Sequence, residues 1–208
     1  MRILIACEES QTITKKFREL GHEAYSCDLL DCSGGKPEWH IKGDAIVEAY
    51  SGKYDMMIAH PPCTFLSVSG ARWMYNKDGS VNQERLENQN KALAFVQKLM
   101  DSPIKRIAVE NPVSVISTKI RKPNQIVQPY MFGDEATKTT CLWLKNLPLL
   151  VPTNIVGKGE KVFYKSGKSH PKWYADALSN SKTPEERRTL RSKTFEGMAK
   201  AISQQWSF

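Results

Sequence analysis

The chain has 208 residues, 40% of them hydrophobic and 25% charged, with a formal net charge of +8. That suits one globular domain with at most a small appendage, able to bury a core without staples. No apolar run approaches the ~20 residues that span a bilayer, which excludes a helical membrane protein.

The chain opens on "RILIAC", residues 2–7, a short apolar run of the kind a buried strand uses. Ser10 is the expected cap of a following helix, with Ile13, Phe17 and Leu20 on its inner stripe and Gly21 as its stop. The opening "MRILIACEES" turns acidic too soon for a secretory signal. Five cysteines, Cys7, Cys27, Cys32, Cys63 and Cys141, cannot all pair, so free thiols in a reduced cytoplasmic protein are the expectation. Cys27 and Cys32, with His22 or His40, fit no structural zinc spacing, and no metal is expected.

"EAYSCD" reads as a second strand ending on Asp28, and "YDMMIA" as a third running into Pro61, Pro62 and Cys63. In "ERLENQNKALAFVQKLMD", Leu86, Leu93, Val96 and Met100 recur at helical spacing, with Pro103 just past the end. "RIAVEN" is another buried strand, ending on Glu110. Strands alternating with helices predict an α/β fold, a doubly wound, Rossmann-like, mostly parallel sheet. Such sheets bind ligands beyond the carboxyl ends of their strands, so Glu8, Asp28, Cys63 and Glu110 are expected to line one rim.

Further on, "TKTTCLWL" reads as a strand and "NLPLLVPTN" as a proline-punctuated connection. From residue 152 onward there are 11 Lys/Arg against 5 Asp/Glu, so six of the eight net positive charges lie there. Lys158, Lys161, Lys165, Lys168 and Lys172 are interleaved with Phe163, Tyr164, Trp173 and Tyr174, a composition that suits a polyanion but equally a solvated loop over core aromatics. Thr183-Pro184-Glu185-Glu186 starts a helix, and a last one, near 195–206, carries Phe195, Met198, Ala199, Ile202 and Trp206 on one face. The expected division is a catalytic unit over 1–150, a substrate-contact segment over 151–192 and a C-terminal helix over 193–208.

Three segments resemble the DNA (cytosine-5)-methyltransferases. "PPCTFLS" resembles their catalytic Pro-Cys motif, "VENP" their Glu-Asn-Val motif, and "GDA", residues 43–45, the segment beside the cofactor's adenine. The whole chain, with its "GMAKAISQQW" end, is similar to the short phage- or prophage-type members. The resemblance implies an S-adenosylmethionine-dependent methyltransferase fold. It makes Cys63 a nucleophile for carbon 6 of cytosine, Glu110 the carboxyl that offsets ring charge, and Asn111 the residue that orients it. The two prolines ahead of Cys63 then restrict the backbone that carries its sulfur.

S-adenosylmethionine is expected over Cys7, Glu8, Ser10 and Pro61, its ribose on Asp28 and its adenine beside Asp44, with its carboxylate at the first helix's N-terminus. Ser67, Lys138, Lys165, Lys168, Lys172 and Trp173 are the expected substrate contacts. The glycine-rich turn of that family is missing, with "CEESQT" in its place, as is its long target-recognition domain. DNA is the expected substrate, with a single strand or a free cytidine nucleotide needing less protein to hold it. A non-catalytic nucleotide- or nucleic-acid-binding module of the same fold is a second reading, and a nucleotide hydrolase using Glu110 or Glu8 a third.

Overall fold

The computed structural model describes residues 1–208. Its first half alternates β1 (Arg2–Ala6), α1 (Thr12–Glu19), β2 (Glu23–Asp28), β3 (His40–Lys42), α2 (Ala45–Ala49), β4 (Met56–Ala59), α3 (Gln83–Met100) and β5 (Arg106–Asn111). Then come α4 (Ile116–Lys119), β6 (Gln125–Val127) and β7 (Thr140–Lys145), followed by a β8 (Lys161–Phe163) and β9 (Ser169–Pro171) hairpin. Three helices close the chain: α5 (Lys172–Ser179), α6 (Pro184–Ser192) and α7 (Glu196–Gln205). No helix is long and apolar enough to cross a membrane.

The main sheet has seven strands in the order β3-β2-β1-β4-β5-β7-β6. β1 to β5 are parallel, and β7 runs antiparallel between β5 and β6. This is a doubly wound, mostly parallel, Rossmann-like sheet. The order reverses between β1 and β4, which opens a crevice beyond their carboxyl ends.

Because side chains alternate along a strand, each buried strand feeds two cores. Ile3, Ile5, Met56, Ile58 and Ala108 pack on one face with Ile13 and Phe17 of α1 and Met198, Ala199 and Ile202 of α7. Leu4, Ala6, Met57, Ala59, Ile107 and Val109 pack on the other with Ala45, Val96 and Leu99. Trp206 is fully buried in the first core, and its indole N–H donates to the Pro148 carbonyl at 3.0 Å.

The local differences from the sequence reading have simple causes. β3 is a three-residue polar edge strand, too short to show a period. Leu20 lies past the last turn of α1 and is 45% exposed. On α3 the fully buried stripe is Gln89, Val96 and Leu99, and Leu86 falls to its edge. At α6, Thr183 and Glu186 form the full reciprocal cap the sequence signals, with Pro184 at the first position.

Candidate active site

Two loops meet at the carboxyl ends of β4 and β5. After β4 the chain passes through His60, Pro61 and Pro62 to Cys63, then turns at once: the Cys63 carbonyl accepts from the amides of Leu66 and Ser67 at 3.0 and 2.9 Å. After β5 it passes through Pro112 to Ser114. Val68 N–H donates to Val113 O at 3.1 Å, and Val115 N–H to Leu66 O at 2.9 Å, so the two loops are joined by backbone bonds. α3 holds the first loop from outside, through Arg85 on the Thr64 carbonyl at 3.3 Å and Gln89 on the Phe65 carbonyl at 3.0 Å.

Cys63 is solvent-accessible, and Glu110 is close enough for its charge to act on the thiol. Burial pushes the thiol's pKa up and Glu110 pushes it further, while Lys138 and Arg191 pull it down; the net is upward. Glu110 itself is ionised more readily than an ordinary glutamate. Burial raises it, but the hydrogen bond and charge of His60, with the charge of Lys138, outweigh that. The carboxyl that the resemblance expects to offset ring charge is therefore held toward its charged form. Only Oε2 is engaged, by His60 Nδ1 at 3.1 Å.

Asn111 is buried and does not bond to Glu110. Side chains alternate, so it faces the other side of β5, where its Nδ2 donates to the Pro61 carbonyl at 2.8 Å. It ties down the loop that carries Cys63, where the sequence reading had it orient Glu110.

The expected cofactor residues fall into two groups. Asp28 and Asp44 both act electrostatically on Cys7, whose thiol burial drives far up, so these three share the rim above β1 and β2. Asp28 also closes a turn onto Leu30 N–H at 2.9 Å, and Asp44 caps α2 through Ile46 N–H at 2.8 Å. Pro61 is buried just past the end of β4, the strand paired with β1.

Glu8 is turned inward. Its oxygens accept from Ile13 N–H at 2.7 Å, Thr14 N–H at 3.3 Å and the Thr14 hydroxyl at 2.6 Å. Glu8, and not Ser10, thus caps α1, and burial raises its pKa. Ser10 merely accepts from the Thr12 hydroxyl at 3.2 Å. The helix amides expected to meet a cofactor carboxylate are therefore committed.

Without glycines, the β1–α1 turn puts Cys7 and Gln11 at φ +58°, a strained setting for side-chain-bearing residues. Gln11 is fully buried. It anchors residues 32–36 from below, accepting from Lys36 N–H at 3.0 Å and donating to Lys36 O at 2.7 Å. A Cβ on Gly34 would lie 2.6 Å from the Ser10 carbonyl, so this loop lies directly on the turn. Asp28 and Asp44 are carboxylates that could accept from ribose hydroxyls and favour a cationic group. The turn beyond them is filled.

The expected substrate contacts are not all gathered here. Ser67 is at the site, its hydroxyl 2.9 Å from that of Ser69. Lys138 reaches toward Glu110 and Cys63, but its ammonium lies on the carbonyls of Arg191, Ser192 and Lys193 at 3.0, 3.5 and 3.2 Å, the end of α6. Three donors on three acceptors leave nothing for a phosphate. Trp173 is packed against Tyr174 and Phe195, with its N–H on the Thr137 carbonyl, and Lys172 pairs with Asp176 at 3.3 Å. Lys165 and Lys168 are exposed in the β8–β9 turn, beside Phe163, which is 76% exposed.

The sequence reading missed His60, and also an exposed aromatic segment that follows the Cys63 loop. A 3-10 turn, Val68–Met74, carries Trp73 at 58% exposure, with Tyr75 at 60% just beyond it. The Arg72 guanidinium stacks on the Trp73 ring at 4.6 Å. "SVSGARWMY" has no helical or strand period, and its signal is compositional only. The structure gathers no group of three or more His, Cys, Asp or Glu side chains placed to hold a metal.

No protein-family model matches the chain, and no curated protein matches it. Among solved structures the chain is similar to a prophage-encoded protein of E. coli described as a DNA modification methyltransferase. Identity is 12% and the TM-score 0.43, over 76% of this chain and 52% of that one, so the chain spans about half of that protein's length.

Proposed function

We propose that the protein transfers a methyl group to carbon 5 of cytosine in DNA, through a transient bond between Cys63 and carbon 6. The observation that carries this reading is the joining of two loops, which sets an accessible cysteine and a buried carboxyl at neighbouring strand ends within reach of each other's charge.

Carbon 5 of cytosine is a poor nucleophile until a thiolate adds to carbon 6 and makes the ring an enamine. At rest the Cys63 thiol is held protonated, chiefly by burial and then by Glu110. A ring whose nitrogen 3 shares a proton with Glu110 cancels that carboxylate's charge. Lys138 and Arg191 are then the remaining charged influences on the sulfur, and both favour the thiolate. The nucleophile is thereby armed by the substrate, which limits stray reaction of an exposed cysteine.

S-adenosylmethionine, when bound, supplies a methyl group on a sulfonium. Asp28 would hold its ribose and, with Asp44, provide negative field for its cationic end. For DNA, Trp73 and Tyr75 offer faces on which a base can stack, next to the Cys63 loop. Arg72, Lys165 and Lys168 offer phosphate contacts. The test is transfer of labelled methyl from the cofactor to DNA by the intact chain. Transfer that vanishes in Cys63→Ala supports the reading, and transfer that persists in that variant overturns it.

A second reading is favoured by one observation, the filled β1–α1 turn. A non-catalytic nucleic-acid-binding module of this fold has no need of a cofactor cradle. Titration with S-adenosylmethionine separates the two: a rise in melting temperature supports the enzyme, and none at millimolar ligand supports the module.

A further inference from the structure

His60 is a side chain that the chemistry above leaves idle. It precedes Pro61, and since Ala59 is in register with Val109, His60 and Glu110 follow as neighbours across β4 and β5. Its Nδ1 lies 3.1 Å from Glu110 Oε2, with side-chain exposures of 14% and 17%. Its Nε2 is shut off from solvent and has no partner. Glu8 also lies near enough to feel the charge of His60. The oxygens of Glu8 are already committed to α1, whereas Oε1 of Glu110 makes no bond.

A histidine kept for packing satisfies both ring nitrogens when buried. This one commits one nitrogen to the candidate acid and leaves the other unmet, an arrangement that serves proton traffic better than stability. The other titratable groups facing the pair are Cys63, Lys138 and Cys141, all coupled to Glu110, and Arg191 beyond Lys138.

Resting on the methyl-transfer reading, we propose that His60 is a positioning residue that stores the proton Glu110 delivers to nitrogen 3 of the cytosine. Before addition the pair holds one proton, which the imidazolium–carboxylate and imidazole–carboxylic acid forms share as tautomers. The Cys63 thiol has given its proton to solvent. As sulfur bonds to carbon 6, the π pair between carbons 5 and 6 shifts to carbons 4 and 5. The π pair between carbon 4 and nitrogen 3 moves onto nitrogen 3, which takes the pair's proton. His60 is left as neutral imidazole, and the Glu110 carboxylate accepts a hydrogen bond from the new N–H. When carbon 5 later gives its proton to water, that C–H pair re-forms the double bond between carbons 5 and 6, the C–S pair leaves with the thiolate, and the nitrogen 3 proton returns to the pair by the same route.

The test needs no cofactor. Addition at carbon 6 lets the carbon 5 hydrogen exchange with water, so loss of tritium from a duplex oligonucleotide carrying 5-tritiated cytosine reports it. His60→Gln keeps an N–H for Oε2 but cannot carry the proton. We expect it to exchange at least ~10-fold more slowly than wild type at pH 8, in keeping with general acid contributions. The deficit should shrink as the pH falls, because Glu110, released from the imidazole, then takes its proton from solvent.

A deficit that is the same at every pH, or none, overturns the proposal. Wild-type exchange that disappears in Cys63→Ala confirms the underlying reading separately. If wild type does not exchange, that reading fails and the delivery to cytosine fails with it. The pair is then judged by melting temperatures of His60→Gln, Glu110→Gln and the double variant. Coupling present at pH 6 and lost at pH 9 supports proton sharing, and coupling unchanged by pH removes it.

Discussion

Asn111 and Pro61 are joined by a 2.8 Å hydrogen bond from the buried amide of one to the carbonyl of the other. The bond ties the end of β5, which carries Glu110, to the loop that carries Cys63. Asn111→Leu removes it with little change in volume. Sulfur displaced by ~1 Å costs on the order of 10²-fold in rate. The expected result is that scale of loss in methyl transfer with cooperative unfolding retained; calorimetry beside the activity assay checks both.

The reactivity of Cys63 should follow the charges around it. Burial and then Glu110 raise its pKa, and Lys138 lowers it. Glu110→Gln removes a raising influence, so at pH 7.5 more of the sulfur is thiolate. Lys138→Met removes a lowering one. Alkylation by iodoacetamide, followed at the Cys63 peptide by mass spectrometry, should be several-fold faster than wild type in the first variant and slower in the second.

Glu8 is expected to matter for folding. Its carboxyl satisfies two amides and a hydroxyl at the start of α1. Glu8→Ala removes the cap and strands buried donors, which costs about 2 kcal/mol. For a chain of this size that lowers the melting temperature by about 4–8 °C. Thermal unfolding at pH 7 measures it.

Trp73 is exposed beside the Cys63 loop, with the Arg72 guanidinium over its ring. Trp73→Ala should leave the melting temperature unchanged and weaken binding of an oligonucleotide by about 1–3 kcal/mol, the worth of one stacked base. Trp173→Ala should do the opposite, since that ring is packed between Tyr174 and Phe195. Fluorescence anisotropy with both variants distinguishes the two aromatic regions.

What the sequence revealed was periodic or punctuated. The apolar runs of β1, β2, β4 and β5, the stripe of α7 and the Thr183-Glu186 cap all carry their own signals, and the strand-end rule then placed Asp28, Cys63 and Glu110 on one rim. Pairings across long sequence separation were hidden. Glu8 lies among acids and reads as a rim residue, yet its carboxyl folds back on the helix it precedes. His60 carries no signal of its own, because its partner lies 50 positions away. Lys138 has the charge of a phosphate ligand, but its three carbonyl partners come from a helix end more than 50 positions further on. Trp173 and Trp73 each sit among basic residues, and only packing tells the half-buried ring from the exposed one.

The most direct measurement is incubation of the protein with S-adenosylmethionine and a duplex carrying 5-fluorocytosine, where fluorine blocks the final elimination. A covalent protein–DNA adduct that maps to Cys63 is the predicted result. A protein that methylates ordinary DNA yet leaves the fluorinated strand unattached, or attaches it at another residue, contradicts the account.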